Sequence, residues 1–358
     1  MRKKNQIISV LAILLLTAFL SCTDKFDITE VDTSGDGNIN DTVYIKLSPD
    51  WEGFNKPQDV MVGREPFIYV ADTDNDRVVM LNTAGQFLGS VNIQHPTKLA
   101  QDYRLNLIVC GELTDEASGN VFSAVFKLDL YGAGHQIAEA KIDTILPKSA
   151  FDFLRPDREF TSAAVFFDNS FYISRKGPVN SNPVDPDNAI LAYVVKKLDD
   201  GTRKDTLLGK VPGLEPVGSG LLSANEISSI ISFNNNSYDI IVSLTGQNSF
   251  KVQWLTYVQS SDFTGYQNRL PEFASDMMLP DRFSKPMDVT VDPSNNIFVV
   301  DAEKDSLLKF NSFGDERESF GGEGVLSSPS GVAYFNRTLY IADTGNDRIV
   351  RYILSTDL

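Results

Sequence analysis

Asp, Asn and Arg crowd two short stretches of this chain, where they can gather a cation, fork to a carboxylate or build a turn. The first is Asp72-Thr73-Asp74-Asn75-Asp76-Arg77 and the second is Asp343-Thr344-Gly345-Asn346-Asp347-Arg348. Asp and Asn side chains accept nearby backbone amides and tolerate left-handed backbone. Arg forks to carboxylates and carbonyls. A pattern present twice serves a repeat, whereas a reaction centre occurs once, so these corners are expected to be structural. A different oxygen pattern runs through Asp32, Ser34, Asp36 and Asn38, with Gly37 at a bend. Alternating oxygens of this kind can ligate calcium. The two histidines, His95 and His135, would need a third ligand to hold zinc. There is no nucleophile elbow, phosphate loop or His-Glu-x-x-His. Cys110 lies in an apolar run and reads as a small buried core residue.

Candidate partner-binding residues lie in the middle of the chain. Arg175, Asn180 and Asn182 belong to a long polar loop, Arg175 to Asn188, that carries three prolines. Long loops on a rigid scaffold are where specificity is built. Trp254, Tyr257 and Tyr266, with Phe263, cluster in sequence. Such rings can stack on sugars or anchor a protein partner; the competing reading is core. The formal net charge is -16, and -19 without residues 1–21. That charge repels phosphate backbones and disfavours nucleic acid as a partner. Two cysteines give no disulfide framework.

The elements that must position these residues are strands. Beyond residue 42, short β-branched and aromatic runs alternate with Gly, Pro, Asn and Asp, an all-β signature. Pro57-Gln58-Asp59-Val60, then Tyr69-Val70-Ala71-Asp72, then Asn75-Asp76-Arg77-Val78 form one unit. Pro329-Ser330-Gly331-Val332, Tyr340-Ile341-Ala342-Asp343 and Asn346-Asp347-Arg348-Ile349 repeat it, and residues 286–311 match in part. The spacing from Pro286 to Pro329 suits a propeller blade. These residues resemble the NHL repeat of β-propellers. The middle of the chain fits by strand counting, with the fourth group's last strand poorly defined and insertions at Glu112–Gly119 and Gly177–Asn188. The expectation is one six-bladed β-propeller over residues 43–358. Its last blade lacks a strand, and Val43-Tyr44-Ile45-Lys46-Leu47 is expected to supply it by pairing with Ile349 to Tyr352. That donation would close the ring and remove an open sheet edge.

Residues 1–21 carry Arg2, Lys3 and Lys4, then an apolar run from Ile7 to Leu20 that ends at Ser21-Cys22. This is a secretory pattern. The following cysteine makes it resemble a bacterial lipoprotein signal, which implies lipid on Cys22. Thr23 after the cysteine, by the same resemblance, favours the outer membrane. Residues 22–42 are acidic, lack hydrophobic periodicity and read as a flexible tether. Within it, Asp32 to Asn38 resembles the first part of an EF-hand-type loop, although Val43 stands where the bidentate acid belongs. Taken together the chain resembles the NHL-repeat lipoproteins of Bacteroidetes.

The expected function is a membrane-anchored, noncatalytic envelope propeller that binds a protein or glycan and needs no cofactor. The alternative is an enzyme: propellers of this resemblance include calcium-dependent hydrolases, lactonases and lyases with a metal in the central channel. Two histidines fit a histidine-bound metal poorly. Carboxylate ligation stays open.

Overall fold

The structure, a computed structural model, describes residues 43–357 except 234. Cys22 and the calcium candidates Asp32, Ser34, Asp36 and Asn38 lie outside the described residues. Twenty-four strands form six four-stranded antiparallel sheets. Strand β1 (Tyr44–Trp51) precedes the first blade. Blade 1 is β2 (Pro57–Val62), β3 (Ile68–Asp72), β4 (Arg77–Leu81) and β5 (Phe87–Asn92). Blade 2 is β6 (Gln94–Gln101), β7 (Asn106–Thr114), β8 (Val121–Asp129) and β9 (Lys141–Leu146). Blade 3 is β10 (Glu159–Val165), β11 (Phe171–Lys176), β12 (Ala189–Lys197) and β13 (Arg203–Lys210). Blade 4 is β14 (Ile227–Ser232), β15 (Ile240–Leu244), β16 (Val252–Gln259) and β17 (Thr264–Asn268). Blade 5 is β18 (Pro286–Val291), β19 (Ile297–Asp301), β20 (Ser306–Phe310) and β21 (Glu316–Gly321). Blade 6 is β22 (Gly331–Phe335), β23 (Thr338–Asp343), β24 (Arg348–Leu354) and the returning β1.

The sequence dictates this layering. The second strands are buried on both faces, between neighbouring blades, so they read as unbroken apolar runs such as Ile68-Tyr69-Val70-Ala71. Outer strands alternate or turn polar, as in β9 and β13, because one face meets solvent. Six apolar clusters result, one at each blade junction. The sixth, between blades 6 and 1, holds Trp51 of β1 against Tyr340.

Ring closure follows the expected pairing. Lys46 faces Tyr352 and Leu47 faces Arg351, while Tyr44 pairs with Leu354. The ill-defined last strand of blade 4 is β17, and the expected insertion at Glu112–Gly119 is smaller, because β7 continues to Thr114. The 148–160 segment contains one 3-10 turn, Asp152–Leu154.

Connections divide between two faces, since each blade starts at the central channel and alternates direction. First-to-second and third-to-outer turns share a hairpin face of mostly short links. Second-to-third turns and inter-blade links share a loop face, which carries the long segments 147–158, 177–188, 211–226 and 269–285. The Asp-Arg corners lie on this loop face and fasten one blade to the next. Asp76, Asp305 and Asp347 adopt positive φ and accept the amides of His95, Ser328 and Lys56 at 2.8, 2.6 and 2.7 Å. Each acceptor belongs to one blade, and each amide stands before the inner strand of the next (Lys56, Ser328) or in its first residues (His95).

Candidate functional site

Among the described residues, polar side chains meet a cavity at the channel and at the outer rim. Near the start of each inner strand, at one equivalent position, stand Asp59, Lys98, Ser162, Ser229, Asp288 and Gly331 in blades 1 to 6, paired with Ala71, Cys110, Ser174, Ser243, Val300 and Ala342 of the second strands. In blades 1 to 5 the strand register shifts just before this position, and three of these side chains stitch the ring. Asp59 Oδ2 accepts Leu99 N at 2.8 Å, Ser162 Oγ accepts Ile230 N at 3.2 Å, and Asp288 Oδ2 accepts Val332 N at 2.8 Å. Lys98 instead reaches across the channel. Its Nζ lies 3.2 Å from Asp288 Oδ2 and 3.6 Å from Asp59 Oδ1, and donates to Ser330 O at 3.0 Å. Ser229 Oγ donates to Asp288 Oδ1 at 2.6 Å. All three charged groups are buried. At Gly331 a Cβ would stand 2.8 Å from Asp59 Oδ1, so only glycine leaves this carboxylate its place.

A cavity of about 200 Å³ extends from this ion triplet toward the hairpin face, between Met61, Ile231, Thr290 and Tyr334. Burial pushes the Asp59 carboxyl up to about 7, with Lys98 opposing and Asp288 reinforcing the shift. Burial works against the Lys98 ammonium, but Asp288 and Asp59 outweigh it and hold its pKa above the ordinary value. The sequence reading missed this site. Its signal was available in the Pro-x-Asp-Val, Pro-x-Lys-Leu and Pro-x-Asp-Val openings of β2, β6 and β18, which put acid, base and acid at one repeat position.

A calcium ion does not fit this centre as it stands. Calcium takes six to eight oxygens. Here two carboxylates, one carbonyl and one hydroxyl converge, and an ammonium already lies among them. Among the described residues no group of three His, Cys, Asp or Glu side chains could hold a metal.

The second place is the outer rim between blades 3 and 4. A cleft of about 220 Å³ is walled by Tyr172, Leu208, Lys210, Tyr257 and Tyr266, among others. The Tyr266 hydroxyl donates to Tyr238 O at 2.8 Å and lies 3.2 Å from Tyr172 Oη. Burial, then the neighbouring Tyr172, push the Tyr266 phenol well above the tyrosine range, so it stays neutral. Tyr257 packs edge-on against Tyr238 and Tyr266. A slip in register between Ala192 and Tyr193 leaves Leu208 between paired residues, and it is exposed. Lys210 Nζ donates to Pro183 O at 2.5 Å and so ties the cleft to loop 177–188.

Of the expected partner-binding residues, Tyr257 and Tyr266 share this cleft. Trp254 does not join them. It is 3 % exposed, stacked on Phe233 with Arg269 over its ring, and has no surface to offer a partner. Arg175 is buried and braces the loop, bonding Asp185 Oδ1 at 2.5 Å and Pro186 O at 2.6 Å. Asn180 bridges Gly177 O and Asn188 N. Asn182 is exposed and accepts Val184 N.

The bracing continues from loop to loop. Arg155 and Arg158 bind Asp187, Asn188 reaches Pro216 O, Ser249 N reaches Ser219 O, and Asp281 N reaches Ser249 O. Across this rigid rim Phe151, Leu154, Val184, Val217 and Phe273 stay exposed.

No family model matches the chain, and no curated protein matches it. Solved structures do. An auxiliary nutrient binding protein from Bacteroides thetaiotaomicron aligns at 12% identity and TM-score 0.56, over 84% of this chain and 70% of that one. A PQQ-bound aldose sugar dehydrogenase from Streptomyces coelicolor aligns at 13% and 0.54, over 88% and 99%. A gluconolactonase from Xanthomonas campestris aligns at 12% and 0.53, over 88% and 90%. The class defined is a six-bladed β-propeller.

Proposed function

We propose that the protein is a noncatalytic binding module of the cell envelope, held to a membrane by lipid on Cys22, that takes a glycan at the cleft between blades 3 and 4. The observation that carries this reading is the tyrosine-walled cleft fastened through Lys210 to a cross-braced loop. Tyrosine gives large contact area and a polar tip at low entropic cost. A loop ordered before binding loses little freedom on binding. The cleft is smaller than a drug-sized pocket and suits one sugar ring of a longer chain. The neighbours' names include a nutrient binding protein, a gluconolactonase and an aldose sugar dehydrogenase, so binding and catalysis both occur on this fold.

The test is calorimetric titration with a panel of soluble oligosaccharides. Tyr257→Ala and Leu208→Asp should each weaken binding at least tenfold, whereas Phe313→Ala on the hairpin face should not. Equal binding by both folded cleft variants would sink the proposal. Anchoring is tested apart: Cys22→Ser should move the protein out of the membrane fraction.

One observation favours a second reading. Asp59, held near neutrality beside a cavity, has the titration range of a general acid or base. A lactonase or lyase would work in the channel. Turnover of a lactone panel that Asp59→Asn abolishes would replace the binding reading.

A further inference from the structure

We infer that the Lys98 ammonium is the resident cation of this propeller. It is a covalently attached stand-in for a metal ion at the point where oxygen ligands of three blades converge. The inference rests on the channel geometry and on neither functional reading above.

The donors around Lys98 Nζ are oxygens from blades far apart in sequence. Asp59 belongs to blade 1, Asp288 to blade 5, and the Ser330 carbonyl to the link entering blade 6. The ammonium donates one hydrogen bond, to the Ser330 carbonyl at 3.0 Å, and makes ion pairs with Asp288 and Asp59 at 3.2 and 3.6 Å, so the group neutralises and spans. It does not act as a nucleophile, since a nucleophilic lysine must shed its proton and two carboxylates here retain it. What it supplies is one positive charge between two buried negative ones, at the axis of a ring whose inner strands converge there. Without that charge the two carboxylates would repel one another in a site sheltered from water.

Two consequences follow. The channel of the natural chain should be indifferent to divalent cations, because volume and charge at its centre are taken. The oxygen ligands themselves remain a cation site in waiting. Asp59, Asp288, the Ser330 carbonyl and Ser229 Oγ are the hard donors that calcium prefers, and shortening Lys98 would free the space between them.

The experiment measures thermal midpoints of the full mature chain with EDTA, with millimolar calcium chloride, and with n-propylamine against n-propanol. The natural chain and Lys98→Met set the baseline. In Lys98→Met the space stays filled but the positive charge is gone. Lys98→Ala should be destabilised in EDTA and recover at least half of its lost midpoint with calcium or propylamine, but not with propanol. The double variant Lys98→Ala, Asp288→Asn should lose the calcium recovery, which separates the channel from any calcium held by residues 32–38. The natural chain and its Asp288→Asn variant should respond to calcium identically. Two results would overturn the inference: a Lys98→Ala protein that neither calcium nor propylamine restores, even from an unfolded state, or a calcium response of the natural chain that Asp288→Asn removes.

Discussion

Asp59 makes the fold answer to pH. Its carboxyl sits at about 7 when folded against 3.8 ordinarily, because burial disfavours the ionised form. A raised acid pKa means that the folded state binds the proton more tightly. Its stabilising share is complete below about 4 and is lost as pH rises through 7. Lys98 and Asp288 face the same point, and both remain in the variant. Asp59→Asn should therefore flatten the change in urea midpoint between pH 5 and pH 8 relative to the natural chain. A slope unchanged by the substitution would place the titration elsewhere. The sequence puts these residues at one repeat position, but taken singly Asp59, Lys98 and Asp288 look like ordinary strand openers, and only closure of the ring brings the two carboxylates within 4 Å of the Lys98 ammonium. Trp254 misled for the opposite reason. Aromatics adjacent in sequence suggested a surface, but its stacking partner Phe233 comes from a neighbouring segment of the same blade.

At the scale of the element, the Asp-Arg corner works as a clasp with two unequal parts. Asp343 is fully buried and accepts Ser327 N, Asn346 Nδ2 and Arg348 Nε at 2.7, 2.9 and 2.7 Å. Asp347, four residues on, is exposed and accepts one amide, Lys56 N. Removing Asp343 strands three part-buried donors, one of them a guanidinium, so Asp343→Ala should cost about 3 kcal/mol. Asp347→Ala should cost about 1 kcal/mol. Asp74→Ala, which removes only a surface ion pair with Lys56, should fall within about 0.5 kcal/mol of neutral. Denaturant midpoints of the three variants check the order. The corner's structural role was readable because it recurs. Its second function, reaching into the next blade, was not, since the amides of Lys56, His95 and Ser328 give no sign of their left-handed backbone until φ is measured.

For the whole molecule, closure is the decisive event. Strand β1 covers the β24 edge that a three-stranded blade 6 would present and buries Tyr44 against Phe298 and Trp51 against Tyr340. Deleting residues 43–51 should lower the thermal midpoint by about 10 °C, from two lost buried aromatics and the lost pairing. The exposed edge of β24 should also make the product self-associate. Calorimetry and light scattering read the two effects, and an unchanged monomer would contradict them. Blade number and closure were legible because strand count and the missing last strand are arithmetic on the repeat. The cleft was half legible: its tyrosines stood out, but Leu208 and Lys210 lie in an unremarkable strand whose register slip creates the wall.

The direction of β1 has a practical consequence. Its first residue pairs with Leu354 beside the Arg337 turn, on the hairpin face, and its last reaches the Asp-Arg corner on the loop face. Strand β1 therefore begins on the hairpin face, and loop 177–188 lies on the opposite side. A molecule pinned by its leading end, to a bead, a sensor chip or a bilayer, shows its braced rim outward like a dish on a mast. Pinned by a tag on that rim, the same molecule would be immobilised blind. Glycan titrations on a surface should give full occupancy in the first orientation and little in the second, so the choice of tether end becomes a control for where the ligand lands.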